Sequence, residues 1–475
     1  MKFAAFARKH WRSAALGMER RGRLLTVLGL AGLAVGCFLV YAYVGPNQSD
    51  TDGWFPLATS LLHGHFWIDG SRPWIELVPA GNNMYYLPFP PVPAVVLVPI
   101  VAIFGENFTD TSGVCALVGA INVLLVMSML HAIGLRKVAT FVLALGFAFG
   151  SEVFYVTATG GVHHWTEVLV VCFVLAAINL AIRGRYPWLA GIFFGLAVGC
   201  RPSIVVAAPA FVVLYWRVGG WLAARGASAD DSPSASTSAS TSASASADLG
   251  STESTSKTAG WGAASRLKRV VFAAFDKLED LVRRANWAGL VVLALGAAAV
   301  GVWLAYFNLA RFDSLTEFGY DLIKGPQGQP VLSESWYTQG IVSPFYLARG
   351  LFTMLLRGWN FNENFPWVEP SWAGCSILYT TPILVYLLRA RWRDPLILAG
   401  WLGLVLPVTL DLMHGNPGFA QFGYRFILDG LPFAWLLLGL VVVRNGLTRG
   451  QVIAVAVGVA VNVYGLACIA AGFVS

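Results

Sequence analysis

The sequence predicts an all-α fold, that of a polytopic integral membrane protein, and two observations support this prediction. Hydrophobic residues make up 57% and charged residues only 12% of the 475 positions, and the mean hydropathy is +0.65. Soluble domains carry about 25% charged residues, so this composition excludes an ordinary soluble protein. The apolar residues are also gathered into uncharged segments, many of them close to the length of about 20 residues that crosses a bilayer as a helix. We therefore expect about 11 to 13 transmembrane helices.

The first segment, Leu24 to Val44, is predicted to be a retained signal anchor. A cleavable signal peptide is the alternative, but its apolar core is usually shorter and ends in a small-residue cleavage site, which is not evident before Pro46. Residues 1–23 carry seven basic side chains against one acid, Glu19. The positive-inside rule therefore predicts a basic cytoplasmic N-terminus and places residues 45–88 outside as the first extracytoplasmic loop.

The remaining apolar segments divide into two modules. The N-terminal transmembrane module is predicted over 24–217, and the C-terminal transmembrane module over 286–475 with an extracytoplasmic loop over about 309–371. After the first segment, the apolar segments run approximately over 89–105, 113–131, 138–157, 165–182, 188–199, 202–216, 287–307, 372–388, 395–411, 425–443 and 450–473.

The charges do not give one consistent topology for the start of the N-terminal module. Basic turns face the cytoplasm in most membrane proteins, and Arg136-Lys137 forms such a turn. If 89–105 and 113–131 both cross the membrane, however, this turn lies outside. Either one element is partial or re-entrant, or the rule is broken at this turn.

Two polar segments separate the modules. Residues 218–263 form a Ser/Ala-rich linker, which we expect to be disordered because it lacks the apolar side chains that a core needs. Residues 264–285 place leucine and valine at helical spacing with charges on the opposite face. This pattern predicts an amphipathic interfacial helix on the cytoplasmic leaflet.

The net charge of +7 does not indicate a nucleic-acid partner. The basic residues lie at the ends of the apolar segments and do not form an aromatic, basic face, so membrane lipid is the expected partner. The six cysteines lie in apolar surroundings without CxxC or Cys/His spacing. We therefore predict small buried hydrophobic side chains and neither a zinc site nor a disulfide framework.

Polar residues at the ends of membrane spans are costly unless they have a use, and four such clusters mark the candidate site. The first lies in the 45–88 loop, where Asp50 and Asp52 precede an amphipathic helical segment that begins at Trp54. Asp50 is the candidate catalytic base. Asp52 either contributes to the chemistry, binds a divalent cation or caps the helix, a role that aspartate often has.

The second cluster is GGVHHWTE, with His163, His164 and Glu167 at the start of an apolar segment. Adjacent side chains on a helix point to different faces, which favours hydrogen-bonding roles over metal ligation for the histidines. No cofactor is established by the sequence, and a divalent cation at Asp52 or at these residues stays an open alternative.

The third and fourth clusters carry arginines. Arg201 stands alone between two apolar segments, as a residue that either reaches the lipid headgroups or binds a phosphate. The fourth cluster runs from Asp411 to Asp429 and contains Gln421, Tyr424 and Arg425. Arg425 and Asp429 have the i,i+4 spacing of a helical ion pair, so we expect them to bind each other.

The order of these segments resembles the GT-C superfamily of membrane glycosyltransferases, in particular bacterial members similar to the protein O-mannosyltransferase and aminoarabinose transferase type. The resemblance covers most of the chain apart from the linker. The acidic pair is Asp-x-Asp here, whereas several relatives have adjacent acids. The segments that carry the resemblance are SDTDGWFPLATSLLHG, the YYLPFPPVPAVVLVPIVAIFG segment with Tyr85 and Tyr86, the GCRP turn, NLARFDSLTEFGY and QFGYRFILDGLP.

The resemblance implies transfer of a sugar from a polyprenyl-phosphate carrier to a hydroxyl acceptor at the outer face of the bacterial cytoplasmic membrane. Asp50 would accept the proton of the attacking hydroxyl, and general-base assistance of this kind accelerates a reaction about 10² to 10⁴-fold. Arg201 and Arg425 would stabilise the leaving phosphate, with His163 or His164 as hydrogen-bond donors. A single displacement of this kind inverts the anomeric centre.

Two other functions fit the same residues. A lipid transporter or flippase also has many spans and buried polar groups, but such proteins often show two related halves, and the sequence shows no internal symmetry. A ligase or polymerase that moves whole lipid-linked glycans would share an extracytoplasmic site with a monosaccharide transferase. The sequence does not separate those two enzymes.

Overall fold

The computed structural model describes residues 28–45, 52–72, 76–216, 286–323, 330–371, 373–391, 394–418 and 421–473. Several predictions fall on residues outside these ranges, namely the basic N-terminus 1–23, Asp50, the linker 218–263 and the amphipathic helix 264–285.

The described residues are mainly helical. The α-helices, in chain order, are α1 Leu28–Val44, α2 Trp54–Leu62, α3 Val92–Phe104, α4 Thr111–Ala132, α5 Lys137–Phe149, α6 Glu152–Thr159, α7 Val162–Ile182, α8 Pro187–Val198, α9 Pro202–Trp216, α10 Trp287–Phe312, α11 Leu347–Leu355, α12 Ile377–Thr380, α13 Pro395–Leu412, α14 Leu431–Asn445 and α15 Arg449–Ala470. Short 3-10 helices cover Tyr320–Leu322, Val331–Ser333, Ser335–Tyr337, Pro344–Tyr346, Pro382–Arg389 and Arg425–Asp429, and α9 begins with a further one over Pro202–Ala207.

Among the described residues, five of these helices are long and apolar enough to cross a membrane, namely α4, α7, α10, α13 and α15. The pair α5 and α6 adds a sixth span if the two helices, bent by 52° at their junction, are counted as one. Helices α1, α3, α8, α9 and α14 are apolar but have only 10–17 residues. The prediction of a largely helical membrane protein is confirmed in this form, and the larger number of spans stays a prediction.

The described residues are mostly helical, in keeping with the predicted all-α class, and they also include five short strands in the loops. Strands β1 (Ile68–Asp69), β2 (Val78–Gly81) and β3 (Met84–Tyr86) form an antiparallel sheet in the order β1-β3-β2, with Val78 opposite Tyr86. Strands β4 (Asn360–Phe361) and β5 (Val368–Glu369) form a hairpin. These strands have two to four residues, too few for the alternation of apolar and polar side chains to be visible in the sequence.

Helix α3 bears on the topology conflict at Arg136-Lys137. At about 1.5 Å per residue its 13 residues span about 20 Å, less than the hydrocarbon core of about 30 Å. Its first residues contact the start of α7 and the end of α8, through Trp165 Nε1 to the Pro93 carbonyl (3.0 Å) and Val92 N to the Gly199 carbonyl (3.3 Å). Its last turn continues through a six-residue connection, 105–110, into the start of α4. A partial element, one of the two resolutions left open above, fits these contacts.

The segment predicted to span 372–388 is broken in the structure. Helix α12 ends at Thr380, and a 3-10 helix begins at Pro382. The residue before a proline is forced out of the α conformation, and Thr381 accordingly has φ −136° and ψ 62°. Pro382 therefore interrupts the helix within a segment whose hydropathy is continuously high.

Small residues let α8 and α10 approach closely. A Cβ on Gly191 would overlap the carbonyl of Leu293, and a Cβ on Gly296 would overlap the carbonyl of Trp188. Close backbone contact of this kind is typical of helices that pack within a membrane. This packing fixes the end of α8, which is the element that leads directly into Arg201.

All six cysteines are free. Five are buried, and Cys172 is half-buried. The prediction of small buried hydrophobic side chains is thus confirmed for five of them.

Candidate functional site

Arg201 lies at the centre of a cluster of ionisable side chains at one end of the helices. We call this the loop end, where α4 and α7 begin and α8 and α13 finish. The Arg201 guanidinium donates from Nε to Asp429 Oδ2 (3.0 Å), from NH1 to Glu167 Oε1 (3.1 Å) and from NH2 to Asp411 Oδ1 (3.1 Å). Ser203, at the start of α9, adds a hydrogen bond to Asp429 at 2.7 Å. One residue between two helices thus joins α7, α13 and the 425–429 segment.

Arg425 is the second cation of the cluster. Its NH1 donates to Glu167 Oε1 at 3.1 Å, so Glu167 binds both arginines through one oxygen. The predicted ion pair between Arg425 and Asp429 is wrong, because Asp429 binds Arg201 and Ser203 instead. The physical reason is that residues 425–429 form a 3-10 helix with about three residues per turn, in which residues four apart no longer share a face.

Both guanidinium groups also contact the ring of Phe426. The Cζ atoms of Arg201 and Arg425 lie 5.0 and 5.1 Å from the ring centroid. The side chains of the two arginines are only 18% and 10% exposed, and those of their carboxylate partners at most 6%. Attraction between cations and an aromatic ring gains strength when water is excluded, as it is here.

The cluster holds three carboxylates against two guanidinium groups. One oxygen of each carboxylate is buried with no hydrogen-bond partner among the described residues: Glu167 Oε2, Asp411 Oδ2 and Asp429 Oδ1. Every nitrogen of Arg201 is engaged, so this side chain has the contacts of a structural hub. Arg425 differs, because its Nε has no partner within the described ranges and only NH1 is bound. Of the two arginines, Arg425 is the one with donors left for a ligand.

The two histidines lie on different sides of α7, as helical geometry predicted. His164 is buried, and its Nδ1 lies 2.7 Å from the Gly160 carbonyl. His163 is exposed, and its ring packs edge to face on Phe89 with 5.6 Å between centroids. Of the two histidines, His163 is therefore the one with surface open to a ligand.

The first loop is attached to the same end of α7. Trp54, the first residue of α2, donates from Nε1 to the carbonyl of Val162 at 2.6 Å. Its ring also contacts Phe89, 5.9 Å between centroids. Trp54 and Leu57 are fully buried, whereas Leu62 is exposed, so α2 packs mainly on protein. The four polar clusters thus lie together at the loop end. In the sequence they are up to 377 residues apart, from Asp52 to Asp429.

Asp52 has the contacts of a helix cap. Its Oδ1 accepts from the backbone N of Trp54 (2.9 Å) and its Oδ2 from that of Phe55 (3.1 Å). Burial raises the pKa of Asp52 above its usual value, and these two backbone hydrogen bonds act in the opposite direction. The cap accounts for the position of this carboxylate, and a role in chemistry stays a prediction.

Tyr85 and Tyr86 lie on β3, half-buried, beside the end of α10. The ring of Tyr86 packs on Phe312 with 5.5 Å between centroids. Arg311 fixes the chain that follows β3 by donating to the carbonyls of Leu87 (2.6 Å) and Phe89 (3.4 Å). Within the described ranges, no hydrogen bond joins either tyrosine to the arginine cluster. Their observed environment is the β sheet and α10.

Gln421 and Tyr424 shape the segment that carries Arg425. The Gln421 amide donates to the carbonyls of Ala373 and Pro417, both at 3.1 Å, and its oxygen accepts from the backbone N of Arg425 at 3.4 Å. Tyr424 is fully buried, and its hydroxyl has no partner among the described residues. Gln421 therefore positions the loop, whereas Tyr424 has an unused hydroxyl beside the cluster.

Glu152, which the sequence analysis did not single out, packs against the segment that carries Arg425. Glu152, the first residue of α6, is fully buried, and neither of its carboxylate oxygens has a hydrogen-bond partner in the described chain. It lies directly against Gly423, whose φ is +68° and where an added Cβ would overlap the carboxylate. An acid inside an apolar helix pair was a signal available in the sequence.

Glu76 is the second residue that sequence reasoning missed. It is half-buried, and its Oε2 is buried without a hydrogen-bond partner among the described residues. Burial raises the pKa of Glu76, the nearby Arg425 guanidinium lowers it, and Glu334 raises it. The same carboxylate interacts with Tyr320 and Tyr337. No local pattern marks Glu76, because it lies in an irregular stretch just before β2.

Across the described ranges, no group of three or more His, Cys, Asp or Glu side chains is arranged to hold a metal ion. Asp50 lies outside those ranges.

Comparisons with known proteins give distant structural likeness only. No family model matches the chain, and no curated protein matches its sequence. Two solved structures of the oligosaccharyltransferase of the archaeon Archaeoglobus fulgidus are similar. The apo form has 14% identity over 95% of this chain, with a TM-score of 0.41. The complex with an inhibitory peptide and a dolichol-phosphate has 14% identity over 93%, with a TM-score of 0.40. This chain covers 55% of either archaeal protein, about half its length.

Proposed function

We propose that the chain is a GT-C type glycosyltransferase that moves a sugar from a polyprenyl-phosphate carrier to a hydroxyl acceptor at the outer face of the bacterial cytoplasmic membrane. The acceptor belongs to a lipid, a glycan or a protein. The observation that carries this proposal is Arg425, a nearly buried cation with unused donors at the loop end of apolar helices. A guanidinium in this position suits the phosphate of a lipid carrier, because its fixed fork of donors matches phosphate oxygens.

Negative charge develops on the phosphate as the reaction proceeds, so the residues that act on the phosphate must be cations or hydrogen-bond donors. The acceptor oxygen attacks C1 of the sugar, the bond from C1 to the phosphate oxygen breaks, and its electron pair stays on the phosphate. Arg425 stabilises the resulting negative charge, and it needs little reorganisation because Glu167 and Phe426 hold it in place. The exposed ring of His163 donates a further hydrogen bond to the same group.

The proton of the acceptor hydroxyl needs a base at the moment of attack. Asp50 has this role in our proposal, on the sequence argument alone, since it lies outside the described residues. Displacement on one face of the sugar inverts the configuration at C1, and neither a covalent glycosyl-enzyme nor a second nucleophile is part of the proposal. Arg201 holds the site together by binding three carboxylates and acts on the substrate only through that architecture.

The test is transfer of labelled sugar by purified protein in proteoliposomes. The substrates are radiolabelled polyprenyl-phosphate sugars, and the acceptors are membrane fractions. We expect wild-type protein to transfer label and Arg425→Lys to lower kcat about 10² to 10³-fold, the usual loss when one oxyanion donor is removed. Arg444→Lys is the matched control, since Arg444 binds Asp394 at the opposite end of the helices and should leave transfer unchanged.

Two results would contradict the proposal. If the protein consumes none of the polyprenyl-phosphate sugars but moves labelled lipid across the vesicle membrane, it is a transporter. Normal transfer by Arg425→Lys would remove Arg425 from the phosphate site. For the base, Asp50→Asn should abolish transfer while thermal stability stays unchanged, and wild-type turnover by that variant would exclude Asp50.

A further inference from the structure

We propose that Glu76 and Tyr320 form a sugar-binding subsite beside Arg425, in which Glu76 accepts hydrogen bonds from sugar hydroxyl groups and a face of the sugar ring packs on Tyr320. The inference rests on the proposed function and names the residues that would hold a sugar. Nothing in the sequence motifs assigns a role to either residue.

The first support is the unused capacity of Glu76. Its Oε2 is buried and unpartnered within the described residues, and an acceptor atom in that state has lost hydrogen bonds to water without replacing them. The cost of this loss is recovered if a ligand donates to the oxygen. An ionised carboxylate repels a phosphate but accepts strongly from hydroxyl groups, so the ligand that suits Glu76 is a polyol.

The second support is the position of Glu76 in the site. Arg425 lies close enough to interact with its carboxylate. Val78, two residues further along the chain at the start of β2, is buried in a small apolar cluster with Tyr337 and Ile323, against which Tyr320 packs. Strand pairing of Val78 with Tyr86 fixes the register of this segment. Glu76 thus lies two residues before a strand of the sheet, in a segment whose register is fixed, and within electrostatic range of Arg425 and Tyr320.

The third support is the aromatic surface next to it. The ring of Tyr320 is half-buried and packs edge to face on Phe89 with 6.0 Å between centroids, and Phe89 in turn contacts His163. Because Tyr320 is only half-buried, part of its ring is open to a ligand. Aromatic faces beside a few fixed polar groups are the usual lining of small-molecule sites. A sugar attached to a phosphate bound at Arg425, or set opposite it, would therefore find a carboxylate and an aromatic ring nearby.

A sugar could come from two sources here, the donor or a carbohydrate acceptor, and the kinetic test separates them. We expect Glu76→Gln to raise one KM about 10-fold or more, with kcat changed less than about 3-fold, because a hydrogen bond to a charged group is lost. A rise in the KM of the polyprenyl-phosphate sugar identifies the donor, and a rise in the KM of the acceptor identifies the acceptor. Tyr320→Leu should raise the same KM, and Tyr320→Phe, which keeps the ring, should not.

A second measurement does not depend on turnover. Saturation-transfer NMR of the protein in nanodiscs, with the methyl glycosides of glucose, mannose, galactose and arabinose as probes, should give a signal that weakens in Glu76→Gln. Glu363→Gln is the matched control, because it removes the same charge from an exposed position on the β4–β5 hairpin. It should leave both the signal and the KM values unchanged.

The failures of the two proposals are distinguishable. If wild-type protein transfers no sugar yet the glycoside signal depends on Glu76, the proposed reaction is wrong and the subsite stands. If transfer occurs but neither KM moves in Glu76→Gln, the subsite is wrong. Loss of kcat alone, or a wild-type protein that gives no signal with any of the four glycosides, would also overturn it.

Discussion

Both ends of the helices carry arginines, but in opposite surroundings. At the end away from the loops, Arg183 donates to Asn179, one turn earlier on α7, and to Ser128 on α4. Arg444 there binds Asp394 at 2.8 Å with 46% of its side chain exposed. At the loop end, Arg201 and Arg425 are nearly buried and share three carboxylates. An arginine that reaches solvent needs no further explanation. Buried arginines among an excess of acids are costly to assemble and mark the region where function is to be sought.

The largest expected effect is that of Arg201→Ala. The substitution leaves three buried carboxylates without their common partner, and breaking a buried pair costs about 3 to 5 kcal/mol. Arg444→Ala breaks a partly exposed pair and should cost about 0 to 1 kcal/mol. Thermal unfolding in detergent, followed by tryptophan fluorescence, measures both. Equal losses for the two variants would show that the loop-end cluster is no more important to the fold than a surface pair.

The next effect compares two glycines in the left-handed region. Gly423, with φ +68°, lies against Glu152 at the loop end, whereas Gly446, with φ +74°, has open space around it at the other end. Alanine should cost about 1 to 2 kcal/mol at Gly446 from backbone strain alone. At Gly423 a further cost of about 1 to 3 kcal/mol follows from overpacking against a buried side chain.

Sugar transfer is a second measurement that should separate the two glycine variants, because Gly423 lies two residues from Arg425. Gly423→Ala should reduce kcat, and Gly446→Ala should not. Combining Gly423→Ala with Glu152→Ala should restore part of the stability, since neighbouring sites couple. Strict additivity of the two substitutions would mean that the alanine methyl group does not press on Glu152.

The smallest expected loss of stability is that of removing a helix cap. Asp52→Ala removes two hydrogen bonds to the start of α2 and should cost about 1 kcal/mol, whereas Asp52→Asn keeps an accepting oxygen. Asp110→Ala, which uncaps α4 by loss of the 2.8 Å bond to Gly113 N, should cost a similar amount. We expect Asp52→Asn to transfer sugar within about 3-fold of wild type. A folded Asp52→Asn variant that has lost transfer would instead assign this carboxylate to the chemistry.

Much of the helical architecture could be predicted, because an apolar helix in a membrane leaves a hydropathy signal along its whole length. The break at Pro382 and the 3-10 helix at Arg425 escaped, since both lie inside apolar segments and are decided by single residues. The five charged residues of the arginine cluster stood out because a charge in an apolar context is rare; they are Glu167, Arg201, Asp411, Arg425 and Asp429. Which acid binds which arginine depends on tertiary contacts that local spacing does not encode. Glu76 lies in the apolar stretch WIELVP, which is too short to be taken as a membrane span, so the search for charges at the ends of spans passed over it.

The residues of the arginine cluster lie far apart in the sequence, so they are synthesised at different times. Arg201 finds Glu167 only 34 residues earlier, but Asp411 and Asp429 lie 210 and 228 residues later, beyond the linker. During synthesis the first module therefore enters the membrane with a guanidinium whose main counterions do not yet exist. The C-terminal module neutralises it only when α13 and the 425–429 segment arrive. A chain that ends before Asp411 leaves Arg201 with Glu167 but without Asp411 and Asp429, so we expect the first module to reach full stability only when the chain is completed.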